Sequence, residues 1–197
     1  MGPRRPEDFD LMYEGTPPWE IGRPQPALLA LAEAGAIRGR VLDVGCGTGE
    51  HVLLAASLGL EATGIDVAEA AIERARQKAV ERGLEARLVV GNVLDLADLG
   101  EQFDTVLDSG LSTSWRTTTG RRSWRGWERW SGRAGGTSCC ASATGSRASS
   151  GLGGSARTRS GRPSPTGGRV DSIEPVLIDT AVQRGAVHAW RAAITRN

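Results

Sequence analysis

The 197-residue chain has little cysteine, and what it has is poorly placed for structure. Cys46, Cys139 and Cys140 show neither metal-ligand spacing nor a disulfide framework, so a reducing, cytoplasmic setting is the expectation. No apolar run approaches the roughly 20 residues of a membrane span. The N-terminal residues Met1-Gly-Pro-Arg-Arg-Pro-Glu-Asp8 lack the apolar stretch of a signal peptide. The length suits one domain with a sizeable core. The formal charge of +1 conceals two unlike pieces: residues 112–168 carry ten Arg and one Glu, and the remainder sums to −8.

What is present is organised around Arg40-Val-Leu-Asp-Val-Gly-Cys-Gly-Thr-Gly49, an apolar strand running into a glycine-rich turn. Residues 1–26 come first, rich in proline and aromatics, which predicts a short helix and then an extended strap. Tyr13 and Trp19 are its anchors, and the segment serves as a clamp on the domain or a lid over a ligand. Ala27–Ile37 has helical spacing of apolar residues. Val41, Leu42 and Val44 form a first strand of the kind buried on both faces of a parallel sheet. Helix-forming residues follow over 50–58. A second strand is predicted over Glu61–Val67, and an amphipathic helix over Ala68–Arg82 with Ile72, Ala75, Ala79 and Val80 on its buried side. Strands follow at Arg87–Val90 and Phe103–Asp108. Two more are expected after the aberrant piece, at Arg169–Asp179 and Val187–Thr195.

Alternation at this spacing predicts a doubly wound, mostly parallel α/β sheet, with a ligand outside the carboxyl ends of its strands. Those ends carry Gly45–Gly49, Asp66, Asn92 and Asp108. Glycines at 45, 47 and 49 let the chain turn sharply and let a ligand approach, while the following helix offers its amides. Asp66 lies 17 residues beyond Gly49, where a carboxylate can accept the hydroxyls of a ribose. The spacing Asp43-x-Gly-x-Gly-x-Gly49 is not the dinucleotide fingerprint. Asp43 either supports the loop or touches the ligand. Asp108 is a ligand residue or a structural cap. Cys46 is a small loop residue with nothing beside it to activate a thiolate. His51 reads as a residue of the helix surface.

Val41–Gly49 resembles the first motif of the class I S-adenosylmethionine-dependent methyltransferases. Gly64-Ile-Asp-Val67, Gly91-Asn-Val93 and Phe103-Asp-Thr-Val-Leu-Asp108 resemble the next three motifs of that family. Pro18-Trp-Glu-Ile-Gly-Arg-Pro-Gln-Pro26 is similar to the small-molecule branch, the thiopurine and benzoquinone type. The resemblance implies a Rossmann-like fold and S-adenosylmethionine as cofactor, with S-adenosylhomocysteine as product. It places the methionine part at Gly45, Gly47 and Gly49, with Trp19 and Asp108 flanking it. Asp66 and Val67 would serve the ribose side, and Asn92 and Val93 the adenine. Asn92 departs from the more usual Asp, although its carbonyl still accepts a bond from the adenine amino group. The implied partner is a small-molecule acceptor, with no metal, no membrane and a monomeric chain; no catalytic base is assigned.

Residues 112–168 break this pattern. Ser, Gly, Arg and Thr supply 42 of its 57 residues, and Leu152 is its one large aliphatic. Such a composition cannot bury enough apolar surface to offset the cost of ordering. Three readings compete: a disordered Arg/Gly/Ser linker with Trp115, Trp124, Trp127 and Trp130 available to stack on nucleic-acid bases, a family-specific insertion, or GC-rich DNA translated out of frame. Shifting a GC-rich back-translation by one base turns Trp127–Ala143 into a helix end, a turn and an apolar strand. That favours the frameshift. The expected domain is then one unit over 1–197: a lid or clamp at 1–26, a cofactor-binding half at 27–111, a disordered aberrant piece at 112–168 replacing the fifth strand, and a strand pair at 169–197. The literal chain is expected to be destabilised and inactive. Alternatives of other classes are a nicotinamide-dependent oxidoreductase and a nucleic-acid-binding protein using 112–168.

Overall fold

A computed structural model describes residues 6–93, 95, 101–111, 137–142, 168–181 and 187–196. Seven strands form one sheet in the order β3-β2-β1-β4-β5-β7-β6. They are β1 Val41–Val44, β2 Ala62–Asp66, β3 Arg87–Val90, β4 Thr105–Ser109, β5 Thr137–Ser142, β6 Gly168–Ile178 and β7 Val187–Arg196. The pairs β1–β2, β1–β4, β2–β3 and β4–β5 are parallel. β7 runs antiparallel to both β5 and β6. The helices are α1 Pro6–Met12, α2 Pro26–Glu33, α3 Glu50–Ser57 and α4 Glu69–Glu81.

The chain reverses its direction of travel across the sheet between β1 and β4, the switch point where such sheets place their ligands. Register makes that edge level: Val44 stands beside Ile65 on one side and Asp108 on the other. All four residues of β1 are buried. Its side chains alternate between faces, so Val41 joins the cluster of Leu28, Val52, Leu53, Ile72 and Leu107, while Leu42 and Val44 join Ile65, Phe103 and Val106. Asp43 therefore points to the α3 face, among apolar side chains.

Most predicted elements appear within a residue or two of their predicted ends. Three expectations change. The Ala27–Ile37 helix stops at Glu33, because Gly35 turns into the left-handed region. Val80 is 82% exposed rather than on the buried side of α4, which is filled by Ala71, Ile72, Ala75 and Ala79.

The third correction concerns the sheet. Thr137–Ser142 fills the fifth position, paired with β4 over five residues and with β7 over six. The sequence argument for its loss rested on side-chain composition, whereas a ladder is made by backbone N–H and C=O groups. Thr, Ser, Cys and Ala meet that demand. The rest of 112–168, including its four tryptophans, lies outside the described residues except for Gly168, which begins β6. Among the described residues β6 pairs only with β7, and this edge position accommodates Pro175, which has no N–H to give.

Candidate cofactor site

The site is assembled from the level ends of β1, β2 and β4. Beyond β1 the chain enters Gly45, whose N–H donates to the Ile65 carbonyl at 2.8 Å, so the turn is pinned to β2. Gly45, Gly47 and Gly49 all have positive φ. Gly49 caps α3 with no side-chain bond of its own. The cap comes instead from Asp43, whose Oδ2 accepts the Val52 amide at 3.2 Å. Its Oδ1 is buried and has no partner among the described residues.

Asp66 bridges the two loops. Oδ2 accepts the Gly47 amide at 2.9 Å and Oδ1 the Ala68 amide at 2.9 Å. Asp108, 2% exposed, accepts the Leu111 amide through Oδ1 at 2.9 Å, closing the turn after β4. Val67 and Val93 are half-buried, and Val93 packs on the Leu42 cluster. Asn92 is exposed on the same rim.

Three carboxylates thus form one floor at the ends of adjacent strands. Burial pushes Asp43 well above the usual carboxylate range, and repulsion from Asp108 and Asp66 adds to it against the pull of the Val52 amide. Burial likewise raises Asp66, opposed by the amides of Ala68, Gly47 and Val67. Cys46 is a buried free thiol, raised by burial and by Asp43 and Asp66, so it remains an inert packing residue, as its sequence context implied.

The strap covers this floor from the N-terminal side. Tyr13 is 3% exposed and belongs to a cluster with Ala68 and Ala71. The Trp19 indole N–H donates to its hydroxyl at 3.0 Å, with the two rings edge to face. Trp19 itself is 40% exposed. Burial, then the Asp66 charge, holds the Tyr13 phenol above its ordinary value.

Sequence reasoning missed what fastens the strap. Gln25, 5% exposed, donates its amide N–H to His51 Nε2 at 3.1 Å, and its side chain pairs with both the N–H and C=O of Asp179. Ala181 N–H donates to Pro18 C=O at 2.8 Å, and Arg23 meets Asp179 at 2.6 Å. On the other flank Glu20 accepts from the Thr48 hydroxyl and lies 3.6 Å from Lys78. His51 is therefore a strap anchor rather than a surface residue. The polar residues Glu20 and Gln25 among prolines were the available signal, but their partners lie 26 to 154 residues away in sequence.

A parallel sheet with a glycine loop and an acidic residue at the next strand end defines a nucleotide-type site at a topological switch point. Comparison with known proteins narrows it. Residues 41–130 match the family described as a methyltransferase domain. The 2-heptyl-1-hydroxyquinolin-4(1H)-one methyltransferase of Mycobacteroides abscessus is 42% identical over 96 residues, 48% of this chain and 42% of that protein. A probable thiol methyltransferase of Arabidopsis thaliana is 40% identical over 65 residues, 32% of this chain and 29% of that protein. The matches thus span less than half the length of these curated relatives. Among solved structures, a protein from work on the conversion of a disulfide bond into a thioacetal group during echinomycin biosynthesis is 35% identical with a TM-score of 0.79, covering 98% of this chain and 92% of that one. The magnesium protoporphyrin IX methyltransferase of Synechocystis PCC 6803, solved with S-adenosylmethionine bound, shares the fold at a TM-score of 0.58 and 19% identity, over 86% of this chain and 76% of that one. The chain belongs to the class I S-adenosylmethionine-dependent methyltransferases.

The residues present suit that cofactor. S-adenosylmethionine is a net cation, and the floor is three buried carboxylates with one oxygen of Asp43 left unsatisfied. Three backbone amides act on the two Asp66 oxygens, which leaves one lone pair open toward a ribose hydroxyl. Among the described residues no helix is long and apolar enough to cross a membrane.

Proposed function

We propose that the chain transfers the methyl group of S-adenosylmethionine to an oxygen, sulfur or nitrogen of a small molecule. The observation carrying this reading is the convergence of Asp43, the glycine loop, Asp66 and Asp108 at the level ends of three adjacent strands. The relatives with quinolone and thiol acceptors support the small-molecule class.

In this reading Gly45, Gly47 and Gly49 admit the methionine part, with Trp19 and Asp108 at its sides. Asp66 accepts the ribose hydroxyls, with Val67 beside it, while Asn92 and the Val93 amide meet the adenine. The cofactor supplies an electrophilic methyl on a sulfonium that leaves readily. The protein therefore works by position and by excluding water, and Asp43, Asp66 and Asp108 compensate the cofactor's charge. No side chain is assigned as a base.

The test is incubation with S-adenosylmethionine labelled in its methyl carbon and a panel of thiols, phenols and hydroxyquinolones. One labelled methyl on an acceptor, lost in Asp66→Ala, is the expected result. Cofactor binding without transfer to any acceptor would overturn the transfer reading.

The composition of 112–168 supports a companion reading, that this piece is translated out of frame and that acceptor contacts belong to the in-frame version. Restoring the shifted frame should raise transfer while leaving S-adenosylhomocysteine affinity unchanged. Equal transfer by both chains would sink it.

A further inference from the structure

We propose that Lys78, the single lysine among 24 basic residues, is a positioning residue that latches the strap onto the glycine loop. The proposal rests on the cofactor reading above and extends it to how the site is kept closed.

Lys78 projects from α4 into a junction of four segments. Its ammonium donates to Thr48 Oγ1 at 2.5 Å and to Glu50 Oε1 at 2.7 Å, and lies 3.6 Å from Glu20 Oε1. The Thr48 hydroxyl, having accepted from Lys78, passes its own proton toward Glu20 Oε2. A directed chain therefore runs from α4 through the loop to the strap. Three acceptors around one point suit a compact ammonium with three rotatable donors, not a planar guanidinium. The other 23 basic residues of this chain are all arginine.

The junction is sheltered. The side chains of Glu50, Glu20 and Lys78 are 8%, 15% and 22% exposed, against 59% for Arg23 in the ion pair on the other flank. Pairs so enclosed are little screened by salt. Burial would raise Glu50, but its bonds to Arg82 and Lys78 prevail and hold it below the ordinary range, so it remains a charged anchor. Arg82 grips Glu50 with two bonds of 2.9 Å, on the side of that carboxylate away from the strap. It stabilises the anchor without belonging to the latch.

The latch acts where the loop meets its cover. Thr48 is adjacent to Gly47, against which the Tyr13 hydroxyl stands, and Glu20 is adjacent to Trp19, which donates to that hydroxyl. Lys78 and Tyr13 thus hold the same turn of loop under the same turn of strap. A nucleotide in the loop leaves only when both release.

The experiment follows release of S-adenosylhomocysteine from the full chain in a rapid-mixing chase. Glu20→Gln and Lys78→Met should each speed release about tenfold, as expected for loss of a sheltered charge-assisted bond. The double variant should be no faster than the faster single one, because the two remove one interaction. Arg82→Met should lower the unfolding temperature and leave release within about twofold of the parent. A second readout needs no binding at all: carbon-13 labelled lysine gives one side-chain signal, which should move in Glu20→Gln. The latch is overturned if that signal stays in place, if the two single effects multiply, or if Arg82→Met speeds release as much as Lys78→Met. A parent chain that fails to bind S-adenosylhomocysteine would instead overturn the cofactor reading.

Discussion

The Tyr13 hydroxyl stands where a side chain on Gly47 would have to go: a β-carbon built there would lie 2.8 Å from it. Gly47 also has φ of 53°, in the left-handed region that costs other residues roughly 1–2 kcal/mol. Gly47→Ala should therefore cost about 1–3 kcal/mol of stability and greatly weaken S-adenosylhomocysteine binding. Adding Tyr13→Phe removes the obstructing oxygen, so the double variant should regain part of that stability but not the strain in φ. Denaturant unfolding of the three variants checks it, and a Gly47→Ala chain as stable as the parent would contradict it.

Asp43 is buried at a cost to the free chain. Its pKa is raised, so the folded chain keeps a proton that the unfolded chain has released, and stability is lost as pH rises above the ordinary carboxylate value. Asp43→Asn keeps an oxygen for the Val52 amide and removes the group that ionises on unfolding or beside a cation. It should stabilise the free chain by about 1–2 kcal/mol at neutral pH, with the gain vanishing below about pH 4. The same variant should weaken binding of S-adenosylmethionine, a cation, more than that of its neutral product. Thermal unfolding across pH, paired with titration of both ligands, reads both effects.

His51 gives the opposite pH signature. Burial pushes its imidazole down to about 4 against the pull of Glu50 and Glu20. The neutral ring accepts the Gln25 amide through Nε2, so its other nitrogen carries the proton. Stability from this group is complete above the unfolded value of 6.5 and is lost as pH falls through 4. His51→Ala should lower stability at neutral pH and flatten the decline between those values. An unchanged acid slope in the variant would show that the ring does not titrate with folding.

The architecture was legible where the sequence carries a period or a backbone necessity. β1 reads as a buried run because all four of its positions are buried, and Gly45, Gly47 and Gly49 read as a turn because each needs positive φ. Asp66 was visible as a strand-end acid. Its bond to the Gly47 amide was not, since an isolated carboxylate does not reveal which backbone group it will meet. The strap's attachments were invisible for the same reason: Gln25 meets the backbone of Asp179, which no side-chain pattern can announce. Val80 misled because one hydrophobic residue beside Ala79 on a helix is turned about 100° away from it. β5 misled in the other direction, since its ladder depends on backbone groups that Thr and Ser supply as well as Val does.

The central claim is that the joined ends of β1, β2 and β4 form an S-adenosylmethionine site, and calorimetric titration with S-adenosylhomocysteine tests it most directly. The account predicts one site per chain with a dissociation constant on the order of micromolar, about −8 kcal/mol, lost in Asp66→Ala and untouched by NAD. Heat from NAD with none from S-adenosylhomocysteine, or full affinity retained in Asp66→Ala, would contradict it.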